Sequence, residues 1–214
     1  MEVIGRYAED GYALLRGLVA PRVAKAFLGR VARDLGRTAL PLVGEGPHSG
    51  VLRRPALEVH GGDYAPMLFF FWGLTPLISR LVGRELLPTY DFFRVYRSGD
   101  VCRVHSDRPA CEHSLSLTLD YSDDRVWDFQ VGRRALGGEA VADDFGGEPC
   151  ESLAMRPGDA ILYRGIDRRH GRTEPNPNRW SAHLFMHWVE QDGPHRDQAF
   201  EGAPPDDAVR LDFG

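Results

Sequence analysis

The alternation of hydrophobic and polar positions changes character along this chain, dividing it into a helix-containing first part and a strand-rich second part. "GYALLRGLV" reads as a short strand. In "APRVAKAFLGRVARDLG" the apolar residues Val23, Phe27, Val31 and Leu35 recur on one helix face. Pro21 suits the first turn, where its missing N–H costs nothing, and Gly36 suits the stop. Residues 40–63, "LPLVGEGPHSGVLRRPALEVHGGD", carry Gly and Pro without sustained periodicity and predict a long loop, a kind of segment that often shapes a binding site. After the aromatic stretch "APMLFFFWGL", "TPLISRLVG" predicts a second helix with Thr75 as N-cap, Pro76 as first helical residue and Gly83 as stop.

From residue 90 onward the period shortens. "DFFRVYRSGD", "EHSLSLTLDYSDD", "RVWDFQVG", "ESLAMRPGDAILYRG" and "RWSAHLFMHWVE" are short alternating or aromatic runs separated by turn residues, which predicts a β-sandwich or barrel. The expected class is mainly β with flanking helices (α+β). Residues 1–214 form one domain in this reading: an N-terminal strand, helices and loop (1–89), a β core (90–190) and a polar, Pro-containing tail (191–214).

Composition narrows the function classes only slightly. Net charge is −5, from 26 Lys+Arg and 31 Asp+Glu, and no basic run interleaved with aromatics suggests a nucleic-acid surface. The N-terminus lacks a basic segment followed by an apolar core, and "APMLFFFWGL" is too short to span a bilayer, so the expectation is a soluble, cytoplasmic protein without a membrane partner. Cys102, Cys111 and Cys150 are odd in number and lack CxxC spacing, which predicts unpaired thiols.

The chemistry concentrates where one strand runs out. In "VCRVHSD", His105 and Asp107 stand two residues apart, and side chains at i and i+2 of an extended chain share a face. His170 follows the strand-like "GDAILYRG". Two histidines and one carboxylate form a ligand mix that suits ferrous iron and leaves coordination positions open. Nine residues after His170 stands Arg179, with Ser181 two further on along the same strand face. Guanidinium plus hydroxyl suits a dicarboxylate, because the fork grips one carboxylate through two hydrogen bonds.

Taken in order, His105-Ser106-Asp107, His170 and Arg179-Trp180-Ser181 resemble the signature of the iron(II)- and 2-oxoglutarate-dependent dioxygenases, and "RVYRSGDVCRVHSDRPACE" with "GDAILYRG" and "HGRTEP" is similar to their prolyl-hydroxylase-like branch. The resemblance spans about residues 90–190. It implies a double-stranded β-helix, a jelly-roll, cupin-like core, with N-terminal supporting helices. It implies Fe(II) as cofactor, held by His105, Asp107 and His170, and 2-oxoglutarate and O2 as co-substrates. Arg179 and Ser181 would hold the far carboxylate of 2-oxoglutarate, and Tyr96, nine residues before His105, would hydrogen-bond it. The implied reaction hydroxylates an unactivated C–H bond of an amino-acid side chain, preferably in a peptide or protein, natural-product peptides included, and releases succinate and CO2. Asp107 itself favours hydroxylation, since halogenating members of the superfamily typically lack that carboxylate.

Other polar positions stay open at this level. His183 shares parity with Arg179 and Ser181 and either lines the cavity or is satisfied in the core; Arg172 either grips a carboxylate or forms a surface ion pair. Ser114, Ser116 and Thr118 alternate with Leu115, Leu117 and Leu119 and face either a pocket or water. Rival readings are a hydroxylase of a free amino acid or other small metabolite, a non-catalytic jelly-roll module that binds metal or acid, and a zinc hydrolase. The last has no evident general base and no use for Arg179.

Overall fold

Eleven strands and three α-helices make up the described residues of the computed structural model, 1–36, 50–138 and 140–202. In chain order the strands are β1 (Glu2–Ile4), β2 (Tyr12–Arg16), β3 (Leu57–His60), β4 (Leu86–Arg97), β5 (Cys102–His105), β6 (His113–Tyr121), β7 (Phe129–Ala135), β8 (Cys150–Leu153), β9 (Ala160–Tyr163), β10 (Arg168–Arg172) and β11 (Trp180–Glu190). The helices are α1 (Tyr7–Asp10), α2 (Pro21–Leu35) and α3 (Ala65–Val82). The strands form a seven-stranded sheet, ordered β1-β2-β9-β6-β11-β4-β3, and a four-stranded sheet, ordered β5-β10-β7-β8. Every pairing within them is antiparallel, so the sheets close face to face as a jelly roll.

The central strands β6 and β11 of the larger sheet are buried on both faces, and strand alternation sorts their residues between them. Leu115, Leu117 and Leu119 of β6 and Ala182, Leu184, Met186 and Trp188 of β11 join Ala24 and Val31 of α2 and Met67, Phe71 and Ile78 of α3 in the main core. Ser114, Ser116 and Thr118 point the other way, between the sheets, and are fully buried. Their polar face is therefore an interior one.

Helix α2 runs as the sequence predicts from Pro21 and ends against Gly36. Its buried stripe is shifted, however: Ala24 and Val31 are buried while Val23 is half exposed. The second predicted helix is longer than expected. Thr75 does not cap it, because the aromatic stretch is also helical and Pro76 lies inside α3. Thr75 instead accepts a hydrogen bond from Trp188 Nε1 at 3.0 Å. By length and composition α3 is apolar enough to cross a membrane, and its Met67, Phe71 and Ile78 pack on the sheet.

The predicted loop at 40–63 resolves in part. Residues 57–60 form edge strand β3 on β4, and Leu52 bridges to Cys102; residues 37–49 lie outside the described residues. Residues 196–202 of the tail form two short turns joined by a kink at 199–201, where Ala199 is buried and the Phe200 ring meets Trp72 at 5.5 Å; residues 203–214 lie outside the described residues. All three cysteines are free thiols.

Candidate active site

Strand register assembles the candidate site. His170 on β10 is the cross-strand partner of His105 on β5, and antiparallel partners sit about 4.5–5.5 Å apart. Asp107 follows two residues beyond the end of β5, its N–H held by the Gly165 carbonyl at 2.8 Å. The outcome is a triad centred on one oxygen: the Nε2 atoms of His105 and His170 each lie 3.5 Å from Asp107 Oδ1. Both Nδ1 atoms are tied to backbone carbonyls, Arg103 and Arg168 respectively, at 2.8 Å. Donating Nδ1–H to those carbonyls fixes the tautomer that leaves Nε2 as a lone-pair ligand. The second carboxylate oxygen, Oδ2, accepts a hydrogen bond from Ser114 Oγ at 3.2 Å, and the same hydroxyl lies 2.8 Å from His187 Nδ1.

Electrostatics prepare the triad for a cation. Burial pushes the Asp107 carboxyl up, but the imidazoles of His170 and His105 outweigh that and hold it well below the usual carboxylate range. Burial, with repulsion from His170, pulls the His105 pKa down, so its imidazole is neutral at pH 7. Two imidazoles whose Nε2 atoms face an ionised carboxylate, converging at the rim of a cavity, fit a ferrous or similar divalent ion with coordination positions to spare.

The cavity is about 430 Å³ and lies between the two sheets. The larger sheet contributes Tyr90, Phe92, Arg94, Tyr96, Tyr163, Phe185 and His187; the smaller one contributes Cys102, His105, Phe129, His170, Gly171 and Arg172. Three arginines line the cavity: Arg94 and Arg172 from the strands, and Arg108 beyond the end of β5, whose guanidinium stands 4.4 Å from the Tyr90 ring centroid. Arg94 is committed: Nε donates to Glu58 at 2.6 Å and Nη1 to Tyr96 Oη at 3.0 Å. Arg172, two residues after His170 and 2 % exposed, has no carboxylate partner among the described residues. Its Nη1 donates to the Trp127 carbonyl, its Nη2 lies 3.4 Å from His183 Nδ1, and the cation stands 4.9 Å from the Trp127 ring centroid.

The structure therefore unites some sequence-predicted residues and separates others. His105, Asp107, His170, Tyr96 and Arg172 all line the cavity. Arg179 does not reach it. Strand β11 begins one residue later, and Asp123 draws Arg179 outward, accepting its backbone N–H at 2.7 Å and its Nε at 3.2 Å. Its side chain is 77 % exposed. Ser181 is fully buried but takes the Asn176 amide at 3.1 Å and is not part of the cavity wall. His183 is likewise buried behind the wall, against Arg172 and Thr118 Oγ1. Asp120, a conceivable alternative carboxylate ligand, faces Lys25 at 3.8 Å.

Several contributors escaped the sequence reading. Gly165 leaves room that no side chain could: a Cβ there would fall 2.4 Å from Asp107 Oδ2 and from the Cys111 carbonyl. Ser114 was visible only as one member of an alternating polar face. Arg94 was missed, although it stands two residues before Tyr96 in "DFFRVYR", the available signal for a shared wall.

No protein-family model matches the sequence, and no curated protein is similar to it. Its fold matches solved structures across most of its length. The non-heme alpha-ketoglutarate-dependent carbocyclase SnoK from nogalamycin biosynthesis superposes with a TM-score of 0.68 at 14 % identity, covering 94 % of this chain and 91 % of that one. HygX from Streptomyces hygroscopicus, with nickel, 2-oxoglutarate and hygromycin B bound, gives 0.64 at 10 % identity over 87 % and 85 %. A Pseudomonas putida prolyl-4-hydroxylase gives 0.57 at 11 % identity over 85 % and 94 %. The expected jelly-roll architecture is thus the observed one, shared with 2-oxoglutarate-dependent oxygenases.

Proposed function

We propose that the protein is an Fe(II)- and 2-oxoglutarate-dependent oxygenase that hydroxylates an unactivated C–H bond and releases succinate and CO2. The observation that carries this reading is the triad itself, in which two tautomer-fixed imidazoles converge on one carboxylate oxygen at 3.5 Å beside a cavity holding an arginine without an anionic partner. His105, Asp107 and His170 would hold the iron. When bound with 2-oxoglutarate and O2, that ion supplies the oxidising power; the chain supplies positioning and a dry, shaped site.

Arg172 replaces Arg179 as the anchor of the far 2-oxoglutarate carboxylate. A buried cation without a counter-ion is costly, and a dicarboxylate relieves that cost. Tyr96, whose oxygen already receives Arg94 Nη1–H, keeps its own O–H for donation to the co-substrate. Tyr90, Phe92, Phe185 and His187 form the remaining wall, with rings inclined by 12–30° between neighbours. This wall receives the substrate and excludes water around the reacting C–H bond.

The substrate is an amino-acid side chain presented by a peptide, the reading supported by the prolyl-hydroxylase-like spacing around His105 and His170. A small natural-product metabolite is the second reading, favoured by the higher TM-scores to SnoK and HygX than to the prolyl-4-hydroxylase. Incubation with Fe(II), 2-oxoglutarate and candidate peptides or metabolites, followed by mass spectrometry, tests both. A gain of one oxygen coupled to succinate supports the function and identifies the substrate class. Absence of 2-oxoglutarate-dependent succinate, with iron bound, rejects it in favour of a binding module.

A further inference from the structure

We propose that Glu112, His113 and Glu190 form a second divalent-cation site, of the zinc class, on the outer side of the larger sheet. One ligand atom from each residue lies within 4.8 Å of the others. Alternation along β6 separates this cluster from the triad: Ser114 faces inward to Asp107, whereas His113 shares parity with Leu115, Leu117 and Leu119 on the helix-covered face. Glu190 closes the cluster from the end of β11, adjacent to β6 in the sheet.

The independent sign of a ligand is His113 itself. It is 3 % exposed, and its Nε2 has no hydrogen-bond partner. Buried imidazole nitrogens are normally paired, so an orphan one needs a reason. This one points at Glu190 Oε1, 3.6 Å away, close to the 3.5 Å separations inside the triad. The other nitrogen is tethered: Tyr7 Oη lies 2.6 Å from Nδ1, as backbone carbonyls tether the triad histidines. With Nδ1–H donating to Tyr7, the Nε2 lone pair faces the carboxylates, the arrangement of a metal-binding histidine and its outer partner.

A histidine–glutamate pair does not satisfy the ring: Glu190 Oε1 stands 3.6 Å from His113 Nε2, beyond hydrogen-bond reach. Glu112 Oε2 is occupied by the Glu190 backbone N–H at 2.9 Å, which holds that carboxylate in place. Arg84 lies 3.8 Å from Glu190 Oε2 and is itself largely exposed, a weak competitor for the pair. One imidazole nitrogen and two carboxylate oxygens suit zinc or a similar borderline ion, with a fourth position left for water.

The test is Zn(II) equilibrium dialysis of the full chain with metal analysis. The triad is disabled by His105→Ala/Asp107→Ala/His170→Ala, which through Asp107 also breaks the neighbouring Asp107, Cys111 and His187 group, so that remaining zinc reports the second site. This variant is expected to retain one equivalent, and adding Glu190→Gln, at the partly exposed end of the cluster, should weaken that binding about tenfold or more. Glu112→Gln in the same background provides a second measurement should Glu190→Gln fail to fold. No zinc held by the triad-disabled chain, or unchanged affinity in the folded glutamine variant, overturns the site. Neither outcome bears on the oxygenase reading, which is scored by succinate.

Discussion

Gly165 lies so close to Asp107 that a Cβ on it would come within 2.4 Å of the carboxylate oxygen Oδ2. The same Cβ would meet the Cys111 carbonyl at 2.4 Å and Ser114 Oγ at 2.7 Å, so neither a rotamer change nor one flexible neighbour relieves it. Gly165→Ala should therefore displace Asp107 or the backbone beneath it. We expect a stability loss of about 1–3 kcal/mol, typical of overpacking. Metal affinity should fall with it, measured by dialysis of the folded variant. A Gly165→Ala protein that keeps wild-type Fe(II) affinity would show that the carboxylate does not need this cradle.

His105→Ala and His170→Ala should each abolish iron retention and succinate formation, since a three-ligand site cannot spare an imidazole. Asp107→Gly should retain some metal on the two histidines but lose hydroxylation. Iron content and turnover near wild type in either histidine variant would remove that residue from the site. Chelator treatment of the wild-type protein should erase activity, and Fe(II) should restore it.

Acid should unfold the protein early. His187 and His113 are buried and neutral, with pKa values pulled from 6.5 to about 4 by burial, by nearby Arg164 for His113 and, against a smaller opposing effect of Asp107, by nearby cationic groups for His187. The unfolded chain binds their protons below about pH 6.5 and the folded chain only near pH 4, so the unfolded state holds more protons throughout that window. Stability is full above pH 6.5 and declines toward pH 4, with a slope approaching about 1.4 kcal/mol per pH unit for each imidazole. Denaturant titrations at several pH values test this. His187→Gln should flatten the slope, and a variant with an unchanged slope would show that His187 is not one of the proton acceptors.

How much of this was legible beforehand depended on how local each feature is. The strand alternation from β4 to β11 and the i, i+2 relation of His105 and Asp107 are properties of neighbouring residues, and the fold preserves them. His170 was joined to them by residue type and by family resemblance, because cross-strand register between β5 and β10 is not written in either segment. Where tertiary contacts override local signals, the reading failed. Pro76 looked like a helix start, yet α3 passes through it because the preceding apolar residues Met67 and Phe71 bury against the sheet. Val23 fits an ideal helical stripe, but the sheet meets α2 through Ala24 and Val31. Ser114 could be assigned to the interior only once a second sheet covered it.

Arg172 and Arg179 form the sharpest test, because the spacing from His170 favours one and the geometry the other. Arg179 has the expected order before Trp180-Ser181, but its guanidinium is turned outward onto Asp123 and largely exposed. Arg172 extends from the same strand as His170 into the cavity, oriented by the Trp127 carbonyl and His183. Truncating one partner of a buried charged hydrogen bond costs about 2–5 kcal/mol, which corresponds to a 30-fold or greater rise in the half-saturating 2-oxoglutarate concentration. Arg172→Ala should show that rise with iron content preserved. Arg172→Lys should recover only part of it, because it keeps the charge and loses the fork. Arg179→Ala should change half-saturation by less than about threefold, as exposed ion pairs contribute little. Succinate formation titrated against 2-oxoglutarate, with metal analysis of the same samples, separates the two. A large rise for Arg179→Ala together with none for Arg172→Ala would mean that β11 starts earlier in the ligand-bound protein and swings Arg179 inward, restoring it as the proposed anchor.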